Sequence, residues 1–559
     1  MLIIKMSTNS NVAAAAANPT PAPTTVLYKI QDHTRFSASH LWRLMSEYYA
    51  SNGVSAWTSY SVPFFITCNN YIGHKYALMI QEYMKNRDGP VWVVELGAGS
   101  GKLGFHILRA LDDLNALTNV NYVMTDFAEK NIEFWMKHTA FSTFIERGVL
   151  DFAKFDIYND SEFKTTKGTI PSDANVIFVA NYIFDTLSAD AFKIEGGKLK
   201  EARVSLCSRQ DETNALDPAI LQRMVVDWSF EDIDPETYYD KQKEPALHSV
   251  LNWYYDHFKD SPIEANVIIP TTILNFLNRM VFKDIFVIAG DKSHTDAESC
   301  QFVGAPHIAV HHSFSIMVNM HAIGIYASMR NGVAFHNPQA DAGIKVSLFS
   351  LTSNELKPPP ADLSTRFKKT TDELDLVNVK KCYEREICDF GPTDFHVIHK
   401  GIITNKEITP DAALALIKLS HWDTDTFFNV KEVIIDKILE MSRNLRQDVY
   451  YTLSKLWNYY YALNRDRDLA FDYGRLFFKT REYAKALDFY KYSNKTLGDH
   501  NVTLFNMALC HKELGDKKMA IDLLERSVKM DPSYERAKIW LVQLNSEKQV
   551  EDQLSGITL

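Results

Sequence analysis

The sequence of 559 residues has few cysteines, and they form no pattern. None lies in a C-x-x-C pair, and none stands near a histidine at zinc-finger spacing. This scarcity is typical of a reducing compartment and argues against both a disulfide framework and a structural zinc site. The 6 cysteines are Cys68, Cys207, Cys300, Cys382, Cys388 and Cys510.

The sequence also lacks a surplus of basic residues and a long apolar run. Acidic residues outnumber basic ones by 70 to 60, so the formal net charge is −10. A nucleic-acid-binding surface needs a basic stripe, and we therefore expect no nucleic-acid partner. The longest apolar stretch, residues 314–329, contains Asn319 and His321 and is too short to cross a bilayer. We expect no interaction with a membrane.

The composition is otherwise that of a globular protein, with 46% hydrophobic residues. At about 100–200 residues per domain, the length favours two to four domains. Residues 1–26 are the exception, because their alanines, asparagines, prolines and threonines cannot build a core and predict a disordered tail. No acidic residue precedes Asp32, as in mitochondrial transit peptides, but those are rich in arginine and the first arginine here is Arg35. We predict a cytoplasmic location, with a mitochondrial one as the alternative.

Short apolar runs alternate with helical patterns over much of the first half of the sequence. The runs show little polar alternation, which predicts parallel strands in an α/β sheet covered by helices on both faces. They lie at residues 91–96, 121–125, 174–180 and 284–290, and a further short strand ends near Asp156.

Three other patterns complete the predicted N-terminal domain, residues 27–350. Residues 28–84 have a mostly helical pattern. Gly196-Gly197 stands between two alternating segments, which predicts a tight β-hairpin. Residues 218–280 are predicted to form a helical, aromatic-rich insertion. A proline-containing region, residues 351–425, is predicted to connect this domain to the helical remainder of the chain.

The C-terminal part contains a repeat with a period of 34 residues, which begins at Arg467 and again at Asn501. Small residues coincide at two positions of the repeat, and Gly515 and Pro532 stand where tetratricopeptide repeats have a turn glycine and a terminal proline. The pattern resembles that family. We predict tetratricopeptide-like helical repeats over residues 426–547, followed by a tail, residues 548–559. Such arrays have a concave groove, so we expect them to bind a protein partner or substrate.

The strongest chemical signal is E-L-G-A-G-S-G-K-L-G, the segment that begins at Glu95. Alternating glycines let a loop turn tightly at a strand end and approach a ligand, and the helix that follows points N–H groups at that ligand. A P-loop is excluded, since Gly97 and Gly101 stand one residue too close together and Leu103 replaces the hydroxyl residue. The dinucleotide-binding pattern is formally satisfied, and a loop that only packs a helix on a sheet is a third interpretation.

The acidic residue before the glycines discriminates among these interpretations, because E-L-G-x-G-x-G resembles motif I of class I S-adenosylmethionine-dependent methyltransferases. The resemblance implies a Rossmann-like α/β fold and S-adenosyl-L-methionine as the cofactor. Two aspartates after the next two strands are implied to bind the ribose hydroxyls (Asp126) and the adenine (Asp156). For both of them, a helix cap or a loop turn is the structural alternative. The implied donor-loop residues are Glu95, Gly97, Gly99 and Gly101.

A second segment, A-N-Y-I-F-D-T-L-S, begins at Ala180 and resembles the A-N-E-F-F-D-A-L-P signature of the MidA-like methyltransferases. These are relatives of a mitochondrial assembly factor that methylates arginine on a protein partner. Tyr182 and Ser188 replace the glutamate and the proline of the signature, and the family's D-Y-G appears as A-G-D, ending at Asp291. The missing glutamate is the natural partner for a guanidinium, so its loss argues against arginine as the substrate.

Methyl transfer from a sulfonium is an in-line displacement, in which the protein mainly aligns donor and acceptor. Residues just beyond the fourth strand would lie at the carboxyl edge of the sheet, beside the methyl group. We predict that Asn181 positions the acceptor, that Asp185 accepts its proton or anchors it, and that Tyr182 forms an aromatic wall. A helix cap and a packing tyrosine are the structural alternatives for the last two.

Four histidines lie close together in the sequence, at His307, His311, His312 and His321. No carboxylate stands among them at regular spacing, so we predict no metal site. One of them is a further candidate proton acceptor. The sequence as a whole predicts a methyltransferase that acts on a protein side-chain nitrogen. The alternatives are a scaffold that has lost turnover and a methyltransferase that acts on small molecules.

Overall fold

The computed structural model of the chain describes residues 26–58, 66, 68–302, 304–339, 344–360, 370–405 and 407–557. A seven-stranded sheet forms the centre of its N-terminal part. We number the strands of this sheet in chain order: β1 Val91–Leu96, β2 Val120–Asp126, β3 Leu150–Lys154, β4 Asn175–Asn181, β5 Asp284–Asp291, β6 Ala334–His336 and β7 Lys345–Leu351. The predicted disordered tail lies almost wholly outside the described residues.

The strands of this central sheet run in the order β6-β7-β5-β4-β1-β2-β3. Strands β1 to β5 pair in parallel, and β7 pairs antiparallel with both β5 and β6. The prediction of a parallel α/β sheet is therefore confirmed, with one antiparallel strand added. The chain winds from β1 to β3 in one direction and from β4 onwards in the other. Ligands of open α/β sheets bind beside such a reversal, at the carboxyl ends of the strands.

Helices cover both faces of the central sheet, which explains why its strands are almost continuously apolar. All residues of β5 after Asp284 are buried, as expected for a parallel strand covered on both faces. The helices of this part are His40–Asn52, Ser55–Thr58, Asn70–Met84, Lys102–Asp113, Glu129–Lys137, Ser142–Glu146, Pro245–Phe258, Thr271–Arg279 and Met320–Met329.

A second, antiparallel sheet packs beside the central one and corrects two predictions. Its strands are Tyr28–Arg35, Asp190–Glu195, Lys198–Ser208, Met224–Ile233 and Ala265–Ile269. Residues 28–35 are thus a strand and not a helix, and the insertion at residues 218–280 is only partly helical. Residues 28–35 are extended because they pair with Lys198–Ser208, and the strands of the insertion are extended because they pair with the two strands of the hairpin. Local patterns do not show such pairing. The hairpin is confirmed, since Gly196 and Gly197 both have positive φ, 57° and 75°.

The rest of the described chain is helical. Two successive helix hairpins follow the predicted period. In the first hairpin, a Cβ added to Gly474 would stand 2.4 Å from the ring of Tyr490, so the glycine lets the two helices pack closely. A final helix continues to Ile557, into residues predicted as a tail. The helices are Val377–Tyr383, Pro392–Ile403, Pro410–Leu419, Thr424–Lys437, Arg443–Asn458, Leu469–Lys479, Tyr483–Leu497, Asn501–Glu513, Lys517–Met530 and Glu535–Ile557. Among the described residues, no helix is both long and apolar enough to cross a membrane.

A buried ion pair joins the helical part to the N-terminal part. Lys102, the first residue of the helix after the glycine loop, donates to the Asp425 carboxylate, and both side chains are buried. Next to this pair, Asp423 accepts the backbone N–H of Asn70 at 3.1 Å. The start of the loop helix is therefore fixed by the C-terminal helical part of the chain.

Removing the acidic partner of this pair is expected to destabilise the whole chain. The substitution Asp425→Ala leaves the Lys102 ammonium buried without its carboxylate, which lowers the free energy of unfolding by about 3–5 kcal/mol. Urea unfolding measures this loss. The matched control is Asp232→Ala, which breaks an exposed pair with Lys198 and should change nothing measurable. Equal stabilities of the two variants would contradict the prediction.

Candidate functional site

A cavity of about 320 Å³ opens at the carboxyl ends of β1, β2 and β4, beside the reversal of strand order. Five residues that the sequence predicted for the site line it: Gly97, Asp126, Asp156, Tyr182 and Asp185. The other walls are mainly apolar and aromatic, and include Met45, Tyr49, Trp57, Phe127, Phe155, Ile157, Tyr158, Ile183, Leu187 and Phe314. A mostly apolar cavity with a few polar groups is typical of a site for a small organic ligand.

The glycine loop at the end of β1 has the backbone conformation that required glycine. Gly97, Gly99 and Gly101 all have positive φ, at 58°, 54° and 77°. The loop is fixed from two sides, because the Gly99 N–H donates to Asp126 Oδ2 at 3.1 Å and the Trp135 indole N–H donates to the Gly99 carbonyl at 3.0 Å. Only Gly97 of the three lines the cavity directly.

Glu95 lies beneath the loop and does not line the cavity. Its carboxyl accepts the Tyr122 hydroxyl at 3.0 Å, and burial raises its pKa to about 8. A Cβ on Gly104 would lie 2.3 Å from Glu95 Oε2, so this glycine makes room for the carboxyl. The structure therefore places Glu95 as a support between β1, β2 and the helix that follows the loop. Its predicted role in donor binding would be indirect.

Asp126, at the end of β2, lines the cavity and also organises the loops around it. Its carboxylate accepts the backbone N–H of Ala128 at 2.9 Å and the Asn131 amide at 3.0 Å, besides the N–H of Gly99. Burial raises its pKa. Asn131 lines the cavity as well, so two polar side chains stand together where the sequence predicted ribose contacts.

Asp156 follows β3 and also lines the cavity. Its carboxylate accepts the backbone N–H of Tyr158 at 2.9 Å and the Asn159 side-chain amide at 2.7 Å. These bonds form a loop turn, which was the structural alternative for this residue. The turn places the carboxylate at the wall of the cavity, so the two interpretations are compatible.

The side chains of Asn181, the last residue of β4, and of Tyr182, which follows it, lie in different places. Tyr182 lines the cavity with a positive φ of 55°, which is unusual for a tyrosine, and its N–H donates to the Gly290 carbonyl at 2.9 Å. Such backbone strain is characteristic of functional sites. The side chain of Asn181 points elsewhere: its Oδ1 accepts the Tyr76 hydroxyl at 2.9 Å, and it is not among the residues that line the cavity.

Asp185 is the buried acid of the cavity. It is 2% exposed, and its Oδ1 has no hydrogen-bond partner among the described residues. Burial raises its pKa to about 7, and the nearby Lys292, which also lines the cavity, opposes this rise. A buried carboxyl with a pKa near neutrality is suited to exchange a proton with a ligand.

A second carboxyl, that of Asp291 at the end of β5, lies behind Asp185. It is fully buried and accepts the backbone N–H groups of Asp185 at 3.1 Å and Lys292 at 2.9 Å. Burial, and then the charge of Asp185, raise its pKa well above the ordinary value. This residue is the aspartate of the A-G-D segment, which the sequence showed only as a departure from a family motif.

The N-terminal helices form a further wall of the cavity, which the sequence did not predict. Tyr49 and Trp57 line the cavity and stack on each other with ring centroids 5.7 Å apart, and Met45 lies beside them. Their helices had been predicted, but nothing local in the sequence indicates that they reach the carboxyl edge of the sheet. The only trace of this wall in the sequence is the pair of aromatic residues itself, Tyr49 and Trp57, eight positions apart.

The four histidines do not all line the cavity. His311 lines the cavity, and its Nδ1 lies 3.1 Å from the Ser313 hydroxyl. His321 is buried in the core, where its Nδ1 contacts the Tyr254 hydroxyl at 2.7 Å and burial lowers its pKa to about 4. In the part of the chain that the structure describes, no group of three metal-ligating side chains is present. Of the four, His311 is the one that lines the cavity.

The residues present fit the donor that the sequence analysis implied. Asp126 and Asp156 supply oxygens that accept hydrogen bonds from hydroxyl or amino groups, between apolar walls suited to an aromatic base. The volume lies within the usual range for small-ligand sites, about 300–1,000 Å³. Gly97 lets the backbone come close. The Oδ1 of Asp185, which has no partner in the part of the chain that the structure describes, points to a polar or charged ligand.

Comparison with solved structures found proteins of low similarity. One is an uncharacterised protein from Burkholderia thailandensis, with 12% identity and a TM-score of 0.36, over 59% of this chain and 90% of that one. Another is a protein of the same organism bound to S-adenosyl-homocysteine, with 11% identity and a TM-score of 0.34, over 62% of this chain and 97% of that one. Scores this low do not establish a common fold.

The comparison of sequences is more informative. No curated protein matches the chain. Residues 72–279, which include β1 to β4, the glycine loop and Asp185, match the model of a family described as putative S-adenosyl-L-methionine-dependent methyltransferases. The prediction of the cofactor is thereby confirmed, and residues 72–279 are similar to this family.

Proposed function

We propose that the chain transfers a methyl group from S-adenosyl-L-methionine to a side-chain nitrogen of a protein, and that its C-terminal helical repeats recruit this substrate. The observation that carries the proposal is the buried Oδ1 of Asp185, which lies in the cavity beside the glycine loop and has no hydrogen-bond partner among the described residues. A nitrogen that gains a methyl group must lose a proton, and Asp185 is a built-in acceptor for it.

The donor, when bound, supplies an electrophilic methyl group on a sulfonium sulfur. The residues of the chain align the acceptor and take up its proton. The nitrogen forms a bond to the methyl carbon, the bond from carbon to sulfur breaks, and the nitrogen proton moves to the Asp185 carboxylate. Tyr182, Tyr49 and Trp57 form walls that exclude water from the reacting groups.

The proposal that the acceptor is a protein is supported by the helices that follow the catalytic part. Paired helices at a period of 34 residues resemble tetratricopeptide repeats, which have no catalytic chemistry of their own and bind peptides or helices. The resemblance to the MidA-like methyltransferases also favours a protein substrate. Tyr182, in place of the glutamate of that signature, favours an amine over a guanidinium as the acceptor.

Incubating cell extract with methyl-labelled donor, with and without the purified chain, tests the proposal. A labelled protein band that requires the chain is the expected result. Label confined to small molecules would contradict the choice of a protein acceptor. Absence of any chain-dependent label, together with intact binding of the donor, would favour a scaffold that has lost turnover.

A further inference from the structure

The connector between two C-terminal helices, residues 459–464, lies against the glycine-loop side of the N-terminal part. It joins the helices Arg443–Asn458 and Leu469–Lys479. Four of its six residues bond to the N-terminal part of the chain. The Tyr461 hydroxyl donates to Ser100 of the glycine loop, and the Tyr459 hydroxyl donates to Asp113 at the far end of the helix that follows the loop. The Asn464 amide donates to Thr58, and the Ala462 carbonyl contacts the ring of His138. The connector lies outside the residues matched by the methyltransferase family.

The central contact is that of Tyr461. Its hydroxyl donates to the Ser100 carbonyl at 2.8 Å, and its ring stacks on His138 with centroids 4.1 Å apart and planes at 17°. The side chain is 4% exposed. A buried hydroxyl bonded to a loop carbonyl and fixed by stacking has one available position, so it orients the group that it contacts.

The carbonyl of Ser100 belongs to the same rigid peptide unit as the N–H of Gly101. That N–H donates to the Ala98 carbonyl at 2.8 Å and closes the turn of the glycine loop. Tyr461 therefore fixes the plane of the peptide on which the turn depends. A Cβ on Gly101 would lie 2.9 Å from the Tyr461 hydroxyl, so the glycine also makes room for this contact.

The same connector reaches the aromatic wall of the cavity. The Asn464 side-chain amide donates to the Thr58 carbonyl at 3.1 Å. Thr58 follows Trp57, whose side chain lines the cavity. The Trp57 ring also packs against the glycine loop, since a Cβ added to Gly99 would stand 2.7 Å from the ring. The connector thus contacts two parts of the proposed donor site, the glycine loop and the aromatic wall.

We infer that Tyr461 is a positioning residue for the donor loop, so that the helical part of the chain completes the donor site besides recruiting a substrate. The inference rests on the proposed function, because it assumes that the loop binds the donor. It predicts that donor affinity depends on a side chain more than 300 residues away from the loop in sequence.

The test compares Tyr461→Phe with Tyr460→Phe, using S-adenosyl-homocysteine as the calorimetric probe and the full chain throughout. Tyr460 is the neighbouring buried tyrosine, and its hydroxyl contacts the Arg467 carbonyl at 3.5 Å, within the helical part. Loss of the bond to Ser100 should raise the Kd for the probe about five-fold in Tyr461→Phe. The Kd of Tyr460→Phe should equal that of the wild type.

Thermal unfolding of the same samples separates positioning from a general loss of structure. The two variants should melt at similar temperatures, since each loses one buried hydroxyl, and only Tyr461→Phe should lose affinity. Tyr461→Ala, which also removes the stacking on His138, should bind more weakly still. Equal affinities of Tyr461→Phe and Tyr460→Phe would overturn this inference alone. A wild type that does not bind the probe would overturn the proposed function, and this inference with it.

Discussion

Replacing Asp185 by asparagine should lower the rate of methyl transfer by about 10²–10⁴-fold, because it removes the group that takes the proton from the acceptor nitrogen. Asparagine has the shape of the protonated acid, which burial already favours. The bond from the backbone N–H of residue 185 to Asp291 is independent of the side chain, so the turn should persist. The rate is measured as label transferred to protein in cell extract, and affinity for S-adenosyl-homocysteine should stay close to that of the wild type.

The dependence of this rate on pH provides an independent readout. Asp185 accepts a proton only when it is ionised, and its raised pKa, about 7, means that the ionised fraction grows as the pH rises through neutrality. The wild-type rate should therefore rise through about pH 7 and level off above it. Because the Asp291 carboxyl lies next to that of Asp185, the pH at which the rate rises reflects the ionisation of both carboxyls.

The matched control for Asp185→Asn is Asp173→Asn, at an exposed position before β4, which should leave both the rate and the pH profile unchanged. The profile of Asp185→Asn should lose its rise near neutrality. A rate close to that of the wild type in Asp185→Asn, with the rise intact, would show that another group accepts the proton. His311, which also lines the cavity, would then be the next candidate.

Replacing Gly99 by alanine should weaken binding of S-adenosyl-homocysteine by at least about ten-fold. The φ of Gly99 is 54°, which an alanine adopts only at a cost of about 1–2 kcal/mol. The added Cβ would also lie 2.7 Å from two carbons of the Trp57 ring. Either the glycine loop or the Trp57 side chain must then move, and both belong to the proposed donor site.

The control for this substitution is Gly89→Ala. Gly89 also has a positive φ, 79°, but a Cβ there would meet no heavy atom within 4 Å. Both variants should lose about 1–2 kcal/mol of stability from backbone strain, and only Gly99→Ala should lose affinity. Calorimetric titration of both measures the difference. If Gly99→Ala binds the probe as tightly as Gly89→Ala does, the loop does not form the donor site.

Patterns that are local in the sequence predicted the central sheet, the glycine loop, the hairpin and the repeating helices. An apolar run predicts a buried strand whichever strand it pairs with. Gly97, Gly99 and Gly101 are predictable because the loop needs a positive φ at each of these positions. The position of Asp126 at the end of β2 was also predictable, because the carboxyl ends of parallel strands meet at one edge. These features need no knowledge of distant contacts.

What the sequence could not predict depends on residues far apart in the chain. Tyr461 bonds to a carbonyl 361 positions away, and Arg35, in the strand predicted as a helix, bonds to Asp190 across 155 positions. Asn181 was predicted to face the acceptor, but the direction of its side chain is set by contact with Tyr76. Tertiary contacts of this kind override local pattern and leave no periodic signal.

We expect the cavity beside the glycine loop to bind the methyl donor. Calorimetric titration of the wild-type chain with S-adenosyl-homocysteine tests it most directly. Binding should be saturable at one site per chain and should be abolished by prior addition of S-adenosyl-L-methionine in excess. A titration without saturable heat up to about 1 mM ligand, with the chain folded, would contradict it.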